Sequence, residues 1–281
     1  MSSRDPAALS AQPGTKVARS GSVPARRVLS SAAARVLAIF HFIGEFSQVF
    51  ARGFLPGNWR RTMRHEFGQF LYQVGFRAIP AVVVAAALVG LGLVVQIIYW
   101  LNFAGEQGRV GEFIVMALVR EIAPILTALI MIGRSGSVLV DEVGQMTRSG
   151  HLRLLASHGI DPIDFIVIPR SFAMAVATFL LTMVFLHTAL WVGYLTASAA
   201  GLSSRSPLQF IGAVNAVMTL KDHLLLVTKP LLVGYVVSYI SIWLGMRVDP
   251  GVHGVRRALP KAFVFSLLAT FAIGALISAV L

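Results

Sequence analysis

Two adjacent charged residues, Arg120 and Glu121, interrupt a hydrophobic stretch that carries no other charge from Phe113 to Ile132. About 20 apolar residues are enough to span a bilayer. A charge near the centre of such a span costs about 2.5–3.5 kcal/mol even on lenient insertion scales. Neighbouring residues of a helix point roughly 100° apart, so these two side chains cannot pair with each other. The sequence therefore predicts that each finds a partner on another helix, on a ligand or in a water-filled cavity, as in a transport site.

Two further residues belong to this polar feature. Pro124 cannot donate the backbone hydrogen bond that the carbonyl of Arg120 would accept in a helix, so it predicts a kink there. Lys229 lies in a later hydrophobic stretch at a similar depth, counted from the predicted outer side. If Glu121 pairs with Lys229, Arg120 is left free to bind an anionic lipid headgroup. The alternative is a set of purely structural ion pairs. Because ionisable residues inside a membrane generally mark functional sites, we favour a role in transport.

The composition places these residues in an integral membrane protein. The chain has 281 residues, of which 56% are hydrophobic and 13% charged, whereas soluble domains have about 25% charged residues. The net charge of +12 comes mainly from basic residues beside hydrophobic stretches, where membrane orientation and lipid headgroups explain them better than nucleic acid does. The sequence has no cysteine, which excludes disulfides, thiolate metal sites and a cysteine nucleophile.

The hydrophobic pattern predicts an all-α membrane protein with three regions. Residues 1–30 are predicted to be a disordered basic tail, residues 31–77 an interfacial amphipathic helix followed by an elbow helix, and residues 78–281 a domain of five transmembrane helices. The five predicted spans are Ala78–Leu101, Phe113–Ile132, Ser171–Thr196, Leu224–Met246 and Ala262–Leu281.

The distribution of lysine and arginine predicts the orientation of these spans. Segments 1–77, 134–170 and 247–261 hold 19 of the 24 basic residues, whereas segments 102–112 and 198–223 hold three. Since cytoplasmic loops are enriched in lysine and arginine, we expect the amino terminus in the cytoplasm and the carboxyl terminus outside.

The long inner connection, residues 139–169, is too polar to span the membrane. Thr147 or Ser149 could cap a short helix that runs to about Ser157, and Gly159 fits a left-handed terminator. Such a helix, projecting into the cytoplasm, has the shape of a coupling helix that docks on a partner; an interfacial helix without a partner is the alternative. Its apolar face consists of Leu152, Leu155 and Ala156.

Other chemistries find little support in the sequence. The small residues of Gly133–Ser137 are more typical of close helix packing than of a hydrolase turn or an anion nest. His151 and His158 lack a third ligand for a metal. No HExxH motif, serine triad or phosphate-binding loop occurs, so we predict no catalytic residue, metal site or cofactor, and expect any ATP hydrolysis in another subunit. A membrane-embedded scaffold, or a lipid-modifying protein acting without ATP, remains the alternative to a permease.

Four motifs occur in order along the chain: Leu118-Val-Arg-Glu-Ile-Ala-Pro124, Gly133-Arg-Ser-Gly-Ser137, Asp141-Glu-Val-Gly-Gln-Met146 and His158-Gly-Ile-Asp-Pro162. Together they resemble the MlaE/YrbE family of ABC-transporter permeases, and the resemblance extends from about residue 65 to the end. Lys229 stands where that family often has a basic residue.

The resemblance implies a permease homodimer in the inner membrane, with an outward-facing cavity for phospholipids or other hydrophobic molecules. It also implies a cytoplasmic ABC ATPase dimer, a hexameric MCE-domain protein on the outer side and, in some systems, a STAS-domain accessory protein. This chain departs from the family pattern in two places, which bear on the choice of ATPase. The stretch from Ser149 to Leu155 lacks the acidic residue common in the coupling helix, and the tail is longer and more basic.

Overall fold

The computed structural model describes residues 44–53, 61–202, 206–249, 251 and 254–280. The predicted basic tail and the first part of the predicted interfacial helix lie outside the described residues. From Phe46 onward the chain forms one compact unit. Every regular element among the described residues is helical, which confirms the predicted all-α class.

Five of the helices are long and apolar enough to cross a membrane, as predicted. We number all helices in chain order, from a segment at residues 44–53 named α1. The five long helices are α2 (Arg61–Phe103), α3 (Val110–Arg148), α5 (Ile163–Ala199), α7 (Leu220–Met246) and α8 (Gly254–Val280). Among the described residues, two shorter α-helices, α4 (His151–Ser157) and α6 (Pro207–Val217), and a 3₁₀ turn at Gln107–Arg109 lie between them.

The predicted elbow and first span form one continuous helix. α2 has 43 residues, which at 1.5 Å per residue gives a length of about 64 Å, against a hydrocarbon thickness of about 30 Å. Its amphipathic first part buries Met63, Phe70 and Val74, and this part packs against α5. A long helix thus connects the region before the first span with the transmembrane core.

Glycines allow the long helices to touch backbone to backbone. A Cβ atom at Gly90 of α2 would lie 2.3 Å from the carbonyl oxygen of Ala189 of α5. A Cβ at Gly193 would lie 2.4 Å from Cβ of Val94. Both distances are far inside van der Waals contact, so any larger residue would push the helices apart. The interior of the bundle consists mainly of α5 and α7, while α2 and α8 expose more of their surface.

The second spanning helix departs from regular α geometry where the polar pair lies. Val115–Ile122 is π-helical, and the α-helix resumes at Ala123, beside Pro124. The interruption predicted at Pro124 therefore appears as a widened turn before it. Such π turns recur at functional sites because they rotate side chains relative to the regular helix.

The short helix predicted in the inner connection exists and ends where predicted. α4 ends at Ser157, and Gly159 has a φ of +75°, which suits a left-handed terminator. The predicted side-chain cap is wrong. α3 continues through Thr147 to Arg148, and Gly150, at φ +76°, precedes α4 without a capping side chain. The hydroxyl of Thr147 is used elsewhere, since it donates to the carbonyl of Gly245 at 3.1 Å.

Candidate functional site

Lys229 lies at the centre of the polar site. It is in α7, and its side chain is 1% exposed. Its ammonium nitrogen, Nζ, donates to Glu121 Oε2 at 2.8 Å, to the carbonyl oxygen of Arg120 at 2.8 Å and to Ser278 Oγ at 3.0 Å. An ammonium group has three protons, so every donor of Lys229 is used within the protein. The structure thus brings Lys229 and Glu121 together, as expected from their depths.

The carbonyl of Arg120 is an acceptor that the sequence makes available. Pro124 has no N–H group, so it cannot donate the α-helical hydrogen bond to this carbonyl. An unsatisfied backbone carbonyl within a membrane costs several kcal/mol. Lys229 donates to it, and the proline that interrupts α3 therefore also creates a binding point for the buried cation.

The fifth spanning helix completes the arrangement around Lys229. Ser278 Oγ donates to Glu121 Oε1 at 2.7 Å, so Glu121, Lys229 and Ser278 form a closed ring that joins α3, α7 and α8. One helical turn earlier, a Cβ at Gly274 would lie 3.3 Å from Lys229 Cε. α8 thus supplies both a hydroxyl and the space for the lysine side chain. Sequence reasoning missed Ser278, because a single serine near the chain end carries no distinctive signal.

Arg120 is paired with a carboxylate that sequence reasoning also missed. Its Nε donates to Asp222 Oδ1 at 2.5 Å. The other oxygen of Asp222 accepts from the backbone N–H of Thr219 at 2.8 Å and from its hydroxyl at 2.7 Å. The hypothesis that pairing of Glu121 with Lys229 leaves Arg120 free therefore needs correction, because Asp222 engages Nε of Arg120. The sequence does contain a signal that places Asp222 in the first turn of a helix, because Thr219 and Asp222 have the spacing of a capping box. It was overlooked because the span was predicted to begin at Leu224, whereas α7 begins at Leu220.

A cavity of about 240 Å³ opens beside these pairs. Arg120 and Glu121 line it, and their side chains are 42% and 44% exposed, whereas Lys229 lies behind them and is not part of the lining. Pockets for drug-sized ligands have about 300–1,000 Å³, so this volume suits a small group and not a whole drug-sized ligand. The other lining residues are Met116, Lys221, Asp222, Leu225 and Ser278.

The charges around the cavity favour an anion. Each of the two carboxylates, on Glu121 and Asp222, has its own cation. Lys221 is exposed and has no ion pair among the residues that the structure describes. Arg120 engages Asp222 through Nε, and within the same described ranges its two terminal nitrogens donate to no protein acceptor. A guanidinium edge and an ammonium group are thus available to a ligand.

The predicted docking residues lie at the other end of α3, on α4. Leu152 and Leu155 are half-buried and Ala156 is exposed. Leu154, which was not predicted, is 55% exposed. α4 itself buries no residue. No group of histidine, aspartate or glutamate side chains in the described part of the chain could hold a metal ion.

Comparison with known proteins identifies the family. The model of the family described as Permease MlaE matches residues 67–280. The chain belongs to the MlaE permease family. MlaE permeases are ABC transporter permeases of the lipid-transport type, so the chain is a multi-pass membrane transport subunit and not itself an enzyme.

Three curated proteins that are similar to this chain come from two bacteria and a plant. The probable ABC transporter permease protein slr1045 of Synechocystis sp. is 28% identical over 237 residues, which cover 84% of this chain and 87% of the relative. The intermembrane phospholipid transport system permease protein MlaE of Haemophilus influenzae is 24% identical, with 75% and 80% covered. Protein TRIGALACTOSYLDIACYLGLYCEROL 1, chloroplastic, of Arabidopsis thaliana is 26% identical; the match covers 76% of this chain and 59% of the plant protein.

Proposed function

We propose that this chain is the permease subunit of an ABC transporter that moves phospholipids or other hydrophobic molecules between the inner membrane and an MCE-domain protein on the outer side. A separate cytoplasmic ATPase drives the transport. Family membership and the name of the Haemophilus relative, which specifies phospholipid transport, support this substrate class. The observation that carries the proposal is the cavity, where the free edge of the Arg120 guanidinium and the ammonium of Lys221 border apolar side chains.

The geometry suggests that the residues around the cavity have different roles in binding a lipid headgroup. Asp222 holds Arg120 through Nε, which fixes the guanidinium plane and leaves the two terminal nitrogens for phosphate oxygens. Guanidinium groups bind phosphate with two parallel hydrogen bonds, which gives orientation as well as affinity. Lys229 neutralises Glu121 from behind, so Glu121 does not repel the anion strongly. Met116 and Leu225 offer apolar contact to the first part of the acyl chains.

The size of the cavity supports a dimeric assembly. A volume of about 240 Å³ within one chain leaves no room for acyl tails, and a second copy facing the first would extend it. Twofold pairing is the commonest symmetry of oligomers. In the proposed complex, two permeases bind a dimer of ATPases at α4 and a hexameric MCE-domain protein on the opposite side, with a STAS-domain protein as a possible accessory subunit.

The headgroup role predicts a specific defect for Arg120→Lys. Lysine keeps a positive charge beside Asp222 but lacks the planar, forked guanidinium. The complex should therefore still assemble, while lipid transfer to the MCE-domain protein falls about ten-fold. This is the effect expected for the loss of one charge-assisted hydrogen bond. The measurement is transfer of labelled phospholipid from proteoliposomes that contain the whole transporter. Arg109→Lys is the matched control, because Arg109 is exposed and lies away from the cavity, where its guanidinium contacts Glu112 and the ring of Phe113. Normal transfer in Arg120→Lys would remove Arg120 from the substrate site. Transfer that persists with a hydrolysis-deficient ATPase would favour a scaffold or lipid-modifying protein.

The proposed orientation has the amino terminus in the cytoplasm and the carboxyl terminus in the periplasm. It predicts that single cysteines at Ser157, in α4, and at Ala200, after α5, react with a membrane-impermeant maleimide from opposite sides. Both positions are exposed, and the sequence has no other cysteine. In intact spheroplasts the Ala200 variant should label and the Ser157 variant should label only after lysis. Labelling of both from the same side would contradict this topology.

A further inference from the structure

A partly buried ion pair, in which the Glu142 side chain is 32% exposed, joins the two ends of the segment that carries α4. Glu142 precedes this segment near the end of α3, and Arg170 follows it near the start of α5. Arg170 Nη1 donates to Glu142 Oε2 at 2.9 Å, and the arginine side chain is 10% exposed. The two chain ends that lead to and from α4 are therefore fixed to each other.

The same pair also holds the first long helix. Gln73 of α2 donates through Nε2 to the other carboxylate oxygen, Oε1 of Glu142, at 3.2 Å. Phe70 of α2 lies under the guanidinium, with Arg170 Cζ 5.5 Å from the ring centroid. Phe70 is itself 3% exposed. We name this cluster of Phe70, Gln73, Glu142 and Arg170 the basal clasp; it joins α2, α3 and α5 at one point.

One donor of the basal clasp has no acceptor. Nε of Arg170 is buried and makes no hydrogen bond within the described part of the chain. Native proteins satisfy nearly all buried polar groups, so an exception needs an explanation. A second arrangement, in which Nε instead of Nη1 engages Glu142, would satisfy this donor. A buried ion pair is weak evidence for stability, because well-packed apolar residues stabilise such a position equally well.

We propose that the basal clasp couples movement of α4 to α2, with Glu142 and Arg170 as positioning residues for transport. This inference rests on the proposed function, in which an ATPase binds α4. Because the clasp fixes both ends of the α4 segment, a displacement of α4 cannot be absorbed by separation of those ends and passes to the helices that the clasp joins. A second contact also holds the residues just after α4. Nη1 of Arg52, in α1, lies 3.6 Å from Oδ2 of Asp161 and 3.7 Å from Oδ1 of Asp164. Coupling between distant sites requires such a physical link with two arrangements.

The test compares ATP hydrolysis with lipid transfer in the whole transporter, reconstituted with its ATPase. Glu142→Gln keeps the shape of the side chain and removes its charge. We expect the ATPase to co-purify and to hydrolyse ATP at a near-normal rate, while lipid transferred per ATP falls at least five-fold. The exchanged pair Glu142→Arg with Arg170→Glu should recover part of this loss. Asp141→Asn is the matched control, because Asp141 is exposed and accepts only from Gln145 of its own helix.

Three results would overturn the proposal in distinguishable ways. Unchanged transfer per ATP in Glu142→Gln would show that the clasp does not participate in coupling. Loss of the folded permease or of ATPase binding in that variant would reduce the clasp to a structural role. A wild-type chain that binds no ATPase would refute the proposed function, and the coupling role of the clasp with it.

Discussion

Glu121→Gln is expected to destabilise the permease by about 3–5 kcal/mol, the range measured when one partner of a buried ion pair is removed. The variant leaves Lys229, which is 1% exposed, as a buried cation with only neutral acceptors around it. The opposite change, Lys229→Met, should cost less, because the surviving carboxylate of Glu121 is 44% exposed and water in the cavity can solvate it. Thermal unfolding of the purified permease in detergent would measure both values.

A double variant tests whether the charges of Glu121 and Lys229 are coupled. Glu121→Gln with Lys229→Met removes both charges, so it should unfold at a higher temperature than Glu121→Gln alone, a non-additivity that a mutant cycle measures directly. Glu112→Gln is the matched control, since Glu112 is exposed and its ion pair is with Arg109, which immediately precedes α3. Additive losses, or equal losses for the two single variants, would show that the pair is not electrostatically coupled in the way the geometry suggests.

The spans could be predicted from the sequence because each is a local signal. A run of about 20 apolar residues has few alternatives to a transmembrane helix. Charges inside such a run are costly, and this identified Arg120 and Glu121 without any knowledge of their partners. The depth of Lys229 then sufficed to predict its contact with Glu121, since helices that cross the same bilayer place residues of equal depth side by side.

The remaining members of the site depend on how the helices pack. Ser278 and Gly274 gain their roles only because α8 passes beside Lys229, and neither residue type is unusual in a spanning helix. Asp222 was placed outside the membrane because the span was predicted to begin too late. The basal clasp has a similar origin: Glu142 and Arg170 lie 28 positions apart in the chain, and polar residues near span ends are common, so their pairing has no local signature.

The second large expected effect is the loss of ATPase binding when the proposed docking face of α4 is changed. Leu155→Asp should abolish co-purification of the ATPase, because it would bury an unpaired carboxylate in the contact, at a cost of several kcal/mol. The permease should still insert and remain folded, since Leu155 is only half-buried in the free chain and α4 contributes no residue to the core. Affinity purification of the tagged permease, with the ATPase detected in the eluate, gives the result.

Two variants on the opposite side of α4 decide which face is docked. Helical spacing places Leu154 and Ser157 away from Leu155, and Leu154 is 55% exposed. If the ATPase contacts Leu152, Leu155 and Ala156, then Ser157→Asp and Leu154→Asp should both retain it, although each adds the same carboxylate one or two residues away. Loss of the ATPase in Leu154→Asp but not in Leu155→Asp would move the contact to the opposite face. Retention in all three variants would contradict docking on α4, and the ATPase would then have to bind elsewhere on the cytoplasmic side.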